Sequence, residues 1–198
     1  MVVQWLPAED NQEVFERPLG EREYIFYLDS RFKRTADVIC RIKFQADAKL
    51  LTQERLNQAL WYCRSRLPLL GASILYNRTQ TTGEARFRVS SNDVKNDFVR
   101  LSQGSKAADE LLCRLLGPEP ELDDQHQSRC FVVLDPSSSS CEAFFLLAHA
   151  IADGISSLLF ARHFLHALSQ NLSISKLDLA PVPSMEWMTK NRYSIVQA

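Results

Sequence analysis

Phe144-Phe145-Leu146-Leu147-Ala148-His149-Ala150-Ile151-Ala152-Asp153-Gly154-Ile155-Ser156-Ser157-Leu158-Leu159 changes its hydrophobic pattern twice. It opens with an apolar run of about six residues, rich in Phe and Leu, which suits a β-strand covered on both faces. The run ends at His149, and a helix-period pattern starts at Gly154. The spacing therefore predicts a strand, a tight loop and a helix. Such a loop delivers the imidazole at the end of a strand, on a rigid support, where it faces a cleft. Asp153 is close enough to fold back on the loop, and Gly154 lets the backbone turn or approach a ligand closely.

Outward from this stretch the chain alternates strands and helices. Arg129 to Leu134 reads as a strand, and Asp135 to Ser140 as the turn that returns the chain into the apolar run. The helix over 154–168 is apolar around most of its circumference, with Ile155, Leu158, Ala161, Leu165 and Leu168 on one side and Phe160 and Phe164 beyond. Such a helix is expected to be enclosed. Past Ser169 the pattern weakens, and Leu179 to Ser184 is an extended, proline-punctuated linker.

Upstream, residues 1–23 are polar and irregular, and Tyr24 to Leu28 is an aromatic, β-prone run with room for a short helical turn. Val38 to Phe44 reads as a strand. Thr52 caps a helix whose core face is Leu56, Ala59, Leu60 and Cys63, with Leu51 stapled on Leu56, and Pro68 stops it. Ala72 to Tyr76 and Ala85 to Val89 form a hairpin around a polar turn. Ser90 to Gly104 is poorly patterned. Ser105 caps a helix running to Leu116, with Leu111, Leu112 and Leu115 inward and Gly117-Pro118 as its stop. Residues 118–128 are an acidic loop.

With 198 residues the chain has enough length for one sizeable core. A net charge of −1 with interspersed signs excludes a nucleic-acid footprint. The first residues carry no secretory signal pattern, and no apolar run approaches the roughly 18–20 residues of a membrane span. The five cysteines are scattered and never in a Cys-x-x-Cys pair. Cys40, Cys63 and Cys113 read as small core residues, and Cys130 and Cys141 flank the hairpin and approach each other. A reduced, cytoplasmic protein is the reading.

The remaining chemical side chains have plain roles. His163 and His166 share a helix face, but with His126 they lack the converging ligands of a zinc site, so no metal is expected. Trp5, Trp61 and Trp187 are packing residues. Ser156 and Ser157 satisfy free amides at the helix start. Taken alone, His149 reads as a core histidine whose ring nitrogens are bonded to backbone groups.

The pattern His149-x-x-x-Asp153-Gly154 resembles the signature of the chloramphenicol acetyltransferase-like superfamily. That group holds CoA-dependent O-acyltransferases, wax-ester and polyketide-ester synthases, and condensation domains of nonribosomal peptide synthetases. Arg17, Leu19, Gly20 and Glu23 fit an Arg-x-Leu-Gly-x-x-Glu opening seen in such acyltransferases. The strand, helix, x-Pro-x-Leu, strand order through Leu67-Pro68-Leu69-Leu70 also resembles their first lobe.

The resemblance implies a two-layer α/β sandwich, a mixed sheet with helices packed on one side. Residues 1–170 would be the N-terminal lobe and 171–198 a linker toward a second lobe. It implies an acyltransferase in which His149 is the general base and no nucleophilic Ser or Cys is needed. Asp153 would hold the loop in shape by pairing with an arginine, Arg17, Arg22 or Arg129, and Gly154 would be permissive backbone. No cofactor is tightly bound; an acyl-CoA or acyl-carrier-protein thioester is the cosubstrate, and a hydroxyl, rather than an amine, the acceptor.

Many relatives have a second histidine where Ala148 stands, and its replacement favours ester formation over peptide condensation. Two-lobed relatives are roughly twice as long, so a second lobe on another chain or self-association is expected. The alternatives are a degenerate binding or regulatory module, a partner subunit of a two-lobed enzyme, and a metal-dependent hydrolase.

Overall fold

The pairing of two apolar strands organises the chain. The computed structural model describes residues 5–11, 13–33, 37–77, 84–90, 99–104, 106–135 and 139–170. In chain order these form β1 (Leu6–Pro7), β2 (Val14–Pro18), α1 (Glu21–Leu28), β3 (Asp37–Gln45), α2 (Gln53–Arg66), β4 (Ser73–Asn77), β5 (Glu84–Ser90), β6 (Val99–Gln103), α3 (Ala107–Leu115), β7 (Ser128–Asp135), β8 (Ser140–Ala148) and α4 (Gly154–Ser169). A π-helical turn, Asp29–Lys33, continues α1, and a 3₁₀ turn, Pro68–Gly71, follows α2.

β8 is buried on both faces, as its unbroken apolar run requires. It lies between β3 and β7 in a mixed sheet ordered β3-β8-β7-β6, antiparallel except for the parallel β6–β7 pair. Side chains alternate across it. Cys141, Ala143, Phe145 and Leu147 face a core shared with α2 and α4. Phe144, Leu146 and Ala148 face a second core shared with α3. The α/β sandwich therefore has α2 and α4 on one side, and α3 adds cover on the other. β1, β2, β5 and β4 make a separate antiparallel sheet, ordered β1-β2-β5-β4, whose buried face forms a third core with Tyr27 of α1.

Several local expectations hold. Thr52 caps α2, its side chain accepting from the Arg55 amide at 3.2 Å, and Leu56, Ala59, Leu60 and Cys63 are buried. α2 ends at Arg66, before Pro68. Leu111 and Leu115 of α3 are buried. Ser105, Trp187 and residues 171–198 lie outside the described residues.

Other expectations are corrected. The irregular opening contains β1 and β2, because β2 finds its hydrogen-bond partner in the distant β5. The poorly patterned stretch includes β6, which pairs with β7. Of the two options open for Tyr24 to Leu28, the structure takes the helix. Glu23 reaches back to accept from the Gly20 amide at 2.6 Å, and this cap outweighs the β preference of the aromatics.

On α4 the buried stripe is Ser157, Phe160, Ala161, Phe164, Ala167 and Leu168. Ile155 and Leu158 are 60% and 61% exposed, so the helix is not enclosed all round. Ile155 and Leu158 share the exposed face with Arg162, His166 and Ser169. Phe145 fixes the rotation of the helix by packing on Phe160 and Phe164 at 4.6 and 5.2 Å between ring centroids. Cys113 is exposed, not core, since it falls on the outer face of α3. Cys130 and Cys141 pair with Phe145 and Leu134 respectively, which keeps the two thiols apart along the hairpin; all five cysteines are free. Burial pushes the Cys63 and Cys130 thiols up.

The Arg17–Glu23 pair joins the second sheet to α1. Arg17 is 2% exposed and forks onto Glu23 with two bonds of 2.7 Å. Its guanidinium lies between the rings of Trp5 and Phe87, 5.1 and 4.9 Å from their centroids. Removing one member of such a pair strands the other, which costs about 3 kcal/mol or more. Glu23→Gln and Arg17→Ala should therefore lower unfolding free energy by about that amount in urea titrations. Arg41→Ala, which breaks half-exposed pairs with Glu142 and Asp109, should change it by less than about 1 kcal/mol.

His163 on α4 is held below the ordinary histidine range by burial, then by Arg66, Arg162 and His166. The unfolded chain takes up that proton first. Stability is thus full above about pH 6.5 and falls as pH drops below it. His163→Gln should flatten the decline of melting temperature measured from pH 7 to pH 5.

Candidate functional site

β8 ends at Ala148, and the next residues turn sharply. The Ala148 carbonyl accepts from the Ile151 and Ala152 amides at 2.9 and 3.2 Å, closing the turn that starts at His149. Ala150 and Ala152 are buried, and Ile151 touches all three hydrophobic cores. Small and apolar residues between His149 and Asp153 thus lock the turn into the body of the lobe.

His149 is half-buried. Its Nδ1 lies 2.7 Å from the Ala152 carbonyl oxygen. A carbonyl can only accept, so Nδ1 carries the hydrogen and Nε2 keeps its lone pair. Phe26 of α1 stacks on the imidazole, centroids 3.9 Å apart and planes 20° from parallel. The stack covers a face of the ring and restricts its rotation. In the neutral ring this bond places the lone pair on Nε2, and the stack limits the directions it can take. One ring nitrogen is backbone-bonded, as a structural histidine's would be, but the ring stands at the end of the strand and not inside a core.

Asp153 caps α4. Its Oδ1 accepts from the Ser156 amide at 2.8 Å and from the Ser156 hydroxyl at 2.7 Å. The capping is therefore done by the aspartate, while Ser156 supplies donors and Ser157 donates to the Gly154 carbonyl at 2.7 Å. Arg17 forks onto Glu23, and Arg129 sits on β7 opposite Leu146. Gly154 is the first residue of α4 and does not have the left-handed backbone that demands glycine. A Cβ there would meet nothing within 4 Å, so the turn uses neither its conformational freedom nor its small size.

Two neighbours of His149 had no mark in the sequence. Phe26 faces it only because α1 is a helix. Asp37 opens β3 in register with Ala148, so the strand pairing brings it beside the turn. The Ser30 hydroxyl donates to Asp37 Oδ1 at 2.8 Å. Burial in the cleft wall pushes the Asp37 carboxyl up, and Ser30 and His149 pull it back. Asp37 lines a cleft of about 520 Å³ whose wall includes Tyr27, Arg31, Leu122, Leu146 and Ala148. Arg31 anchors this wall by pairing with Asp124 and donating to the Tyr27 hydroxyl at 2.7 Å.

Among the described residues no three His, Cys, Asp or Glu side chains are grouped to hold a metal. His126 is bonded to Asp123 on its own loop at 2.8 Å, whereas His163 and His166 lie on α4. No helix among those residues is long and apolar enough to cross a membrane.

No protein-family model and no curated protein matches the sequence. Solved structures do match the fold. Trichothecene 15-O-acetyltransferase from Fusarium sporotrichioides superposes with a TM-score of 0.67 at 15% identity, over 95% of this chain and 41% of that one. The starter condensation domain of rhizomide synthetase gives 0.62 at 10% identity, over 90% and 45%. The condensation domain of monacolin K polyketide synthase gives 0.61 at 14%, over 92% and 40%. The lobe therefore has the chloramphenicol acetyltransferase-like fold, as its N-terminal lobe, and spans less than half the length of these chains.

The helix cap makes a direct prediction. Asp153→Ala removes the acceptor for the Ser156 amide and should destabilise the protein by about 1–2 kcal/mol, read as a lower urea midpoint.

Proposed function

We propose that this chain is the first lobe of an acyltransferase that moves an acyl group from a thioester to a hydroxyl, with His149 as general base. The observation that carries the reading is the bond from His149 Nδ1–H to the Ala152 carbonyl, which leaves Nε2 as the nitrogen able to accept a proton. In the proposed reaction Nε2 takes the acceptor's O–H proton as the oxygen attacks the thioester carbonyl carbon. The tetrahedral intermediate then collapses, the C–S bond breaks, and the thiolate leaves with the proton returned from the imidazolium. No acyl-enzyme forms. Asp153 serves the loop and helix, not the reacting atoms. The donor is a CoA or carrier-protein thioester.

The fold shared with an acetyltransferase and with condensation domains supports this reading, as does the short span of each of those chains. A second lobe, on another chain or from a second copy, is proposed to complete the site. The exposed Ile155 and Leu158 beside the Asp153 cap also favour a second reading, a lobe that binds a partner without catalysis.

His149→Ala should lower acyl transfer from acyl-CoA to alcohol acceptors by roughly 10²–10⁴-fold while the chain still folds cooperatively in a thermal melt. Chromatographic detection of ester measures the transfer, with sedimentation to record the oligomer present. Wild-type transfer by the variant removes His149 from the mechanism. A wild-type chain that binds no acyl thioester in any assembly favours the binding module.

A further inference from the structure

We infer that Arg31 sets the length of the aliphatic group taken by the cleft beside His149, closing with Asp124 the wall between that cleft and a second hollow. The link to acyl transfer rests on the proposed function; the wall itself does not. The cleft has an apolar floor, formed by Ile39, Leu115, Leu122, Leu146 and Ala148, and so reaches the residue bonded to His149. Its volume of about 520 Å³ falls in the range of small-molecule sites. Arg31 and Asp124 stand in its wall. Asp124 also lines a second hollow, of about 640 Å³, together with Ile74 and Tyr76 of β4. The same carboxylate residue thus borders both spaces.

The wall is a thin layer of side chains. The Arg31 guanidinium lies against the rings of Tyr27 and Tyr76, 5.7 and 5.4 Å from their centroids, and those two rings are 5.9 Å apart. Tyr27 lines the cleft and Tyr76 the hollow, so Arg31 fills the gap between the two spaces. It donates to the Tyr27 hydroxyl at 2.7 Å and pairs with Asp124, which also accepts from that hydroxyl at 3.2 Å. Stacking and charged bonds together hold the guanidinium in place. The loop carrying Asp124 is anchored without Arg31. The Asp124 carbonyl accepts from the Ile74 amide at 2.6 Å, and the Gln127 side chain donates to the Asp123 carbonyl at 2.7 Å. The Arg31 and Asp124 side chains are 31% and 30% exposed, so their pair carries little of the stability. Truncating Arg31 therefore opens the wall and leaves its frame. In the wild type a tail longer than the cleft would have to displace a bonded cation.

Isoleucine methyl NMR reads the wall directly, because Ile39 lines the cleft and Ile74 the hollow. The two signals are assigned by their loss in Ile39→Val and Ile74→Val, and the protein is titrated with n-butanol, n-hexanol and n-octanol. In the wild type the alcohols should shift Ile39 and leave Ile74 in place. In Arg31→Ala n-octanol should shift both, and its affinity relative to n-butanol should rise on the order of tenfold as methylenes pass the wall. A merely structural Arg31 would change the affinity for all three alcohols alike. Lys33→Ala, which removes a cation of the same turn that lines neither space, should match the wild type. Asp124→Ala, which removes the other half of the wall, carries the test if Arg31→Ala does not fold. No shift at Ile39 in the wild type, a shift at Ile74 in the wild type, or an unaltered length preference in the folded variant overturns the proposal. None of these readings needs transferase activity, so an inactive chain with an intact partition would sink the catalytic reading and leave the wall standing.

Discussion

Ile151 sits where three hydrophobic cores meet, and the geometry of the lobe depends on that junction. The core under α2 and α4, the core under α3 and the core of the second sheet would otherwise be separate layers. A single side chain in the turn after β8 touches all of them, with Ala150 and Ala152 buried on either side. A turn so enclosed cannot shift without opening a void in several places at once. His149, at its edge, inherits that rigidity. The short turn after the central strand is therefore also the anchor that fixes the imidazole.

Arg17 and Glu23 do similar work from the other direction. The buried fork between them fixes the step from β2 into α1, and the Glu23 carboxylate also caps the helix through the Gly20 amide. The start of α1 in turn decides which residues reach the turn at His149. Phe26 arrives face to face with the imidazole, and Tyr27 enters the third core. A charged pair in an interior is a weak source of stability but a strict one, because neither partner tolerates the loss of the other. Its effect here is placement: it sets the register of a helix against a strand end.

The site is built from three separated segments that converge at the end of β8. The turn supplies His149 and the Ala152 carbonyl, α1 supplies the aromatic face, and β3 supplies Asp37. The cleft beside them is walled by the mixed sheet, the end of α3 and the loop that Arg31 holds to α1. One lobe can thus orient an imidazole and bound a cleft on one side. It shares its fold with acetyltransferase and condensation chains and spans less than half the length of each.

The local sequence determined what short-range physics controls. The unbroken run through Phe144 to Leu147 required a strand covered on both faces, Thr52 and Pro68 set the ends of α2, and the small residues after His149 required a tight turn. Tertiary structure decided what depends on distant partners. β2 is a strand because β5 pairs with it, and α4 buries its phenylalanines rather than Ile155 and Leu158 because Phe145 waits on the facing sheet. Asp37 and His149 are far apart in the chain and carry no shared spacing; only the antiparallel register of β3 on β8 brings them together. Hydrogen-bond caps and apolar periodicity act within a few residues, so a sequence displays them. Strand pairing and helix rotation are settled by side chains that meet only after the chain has folded.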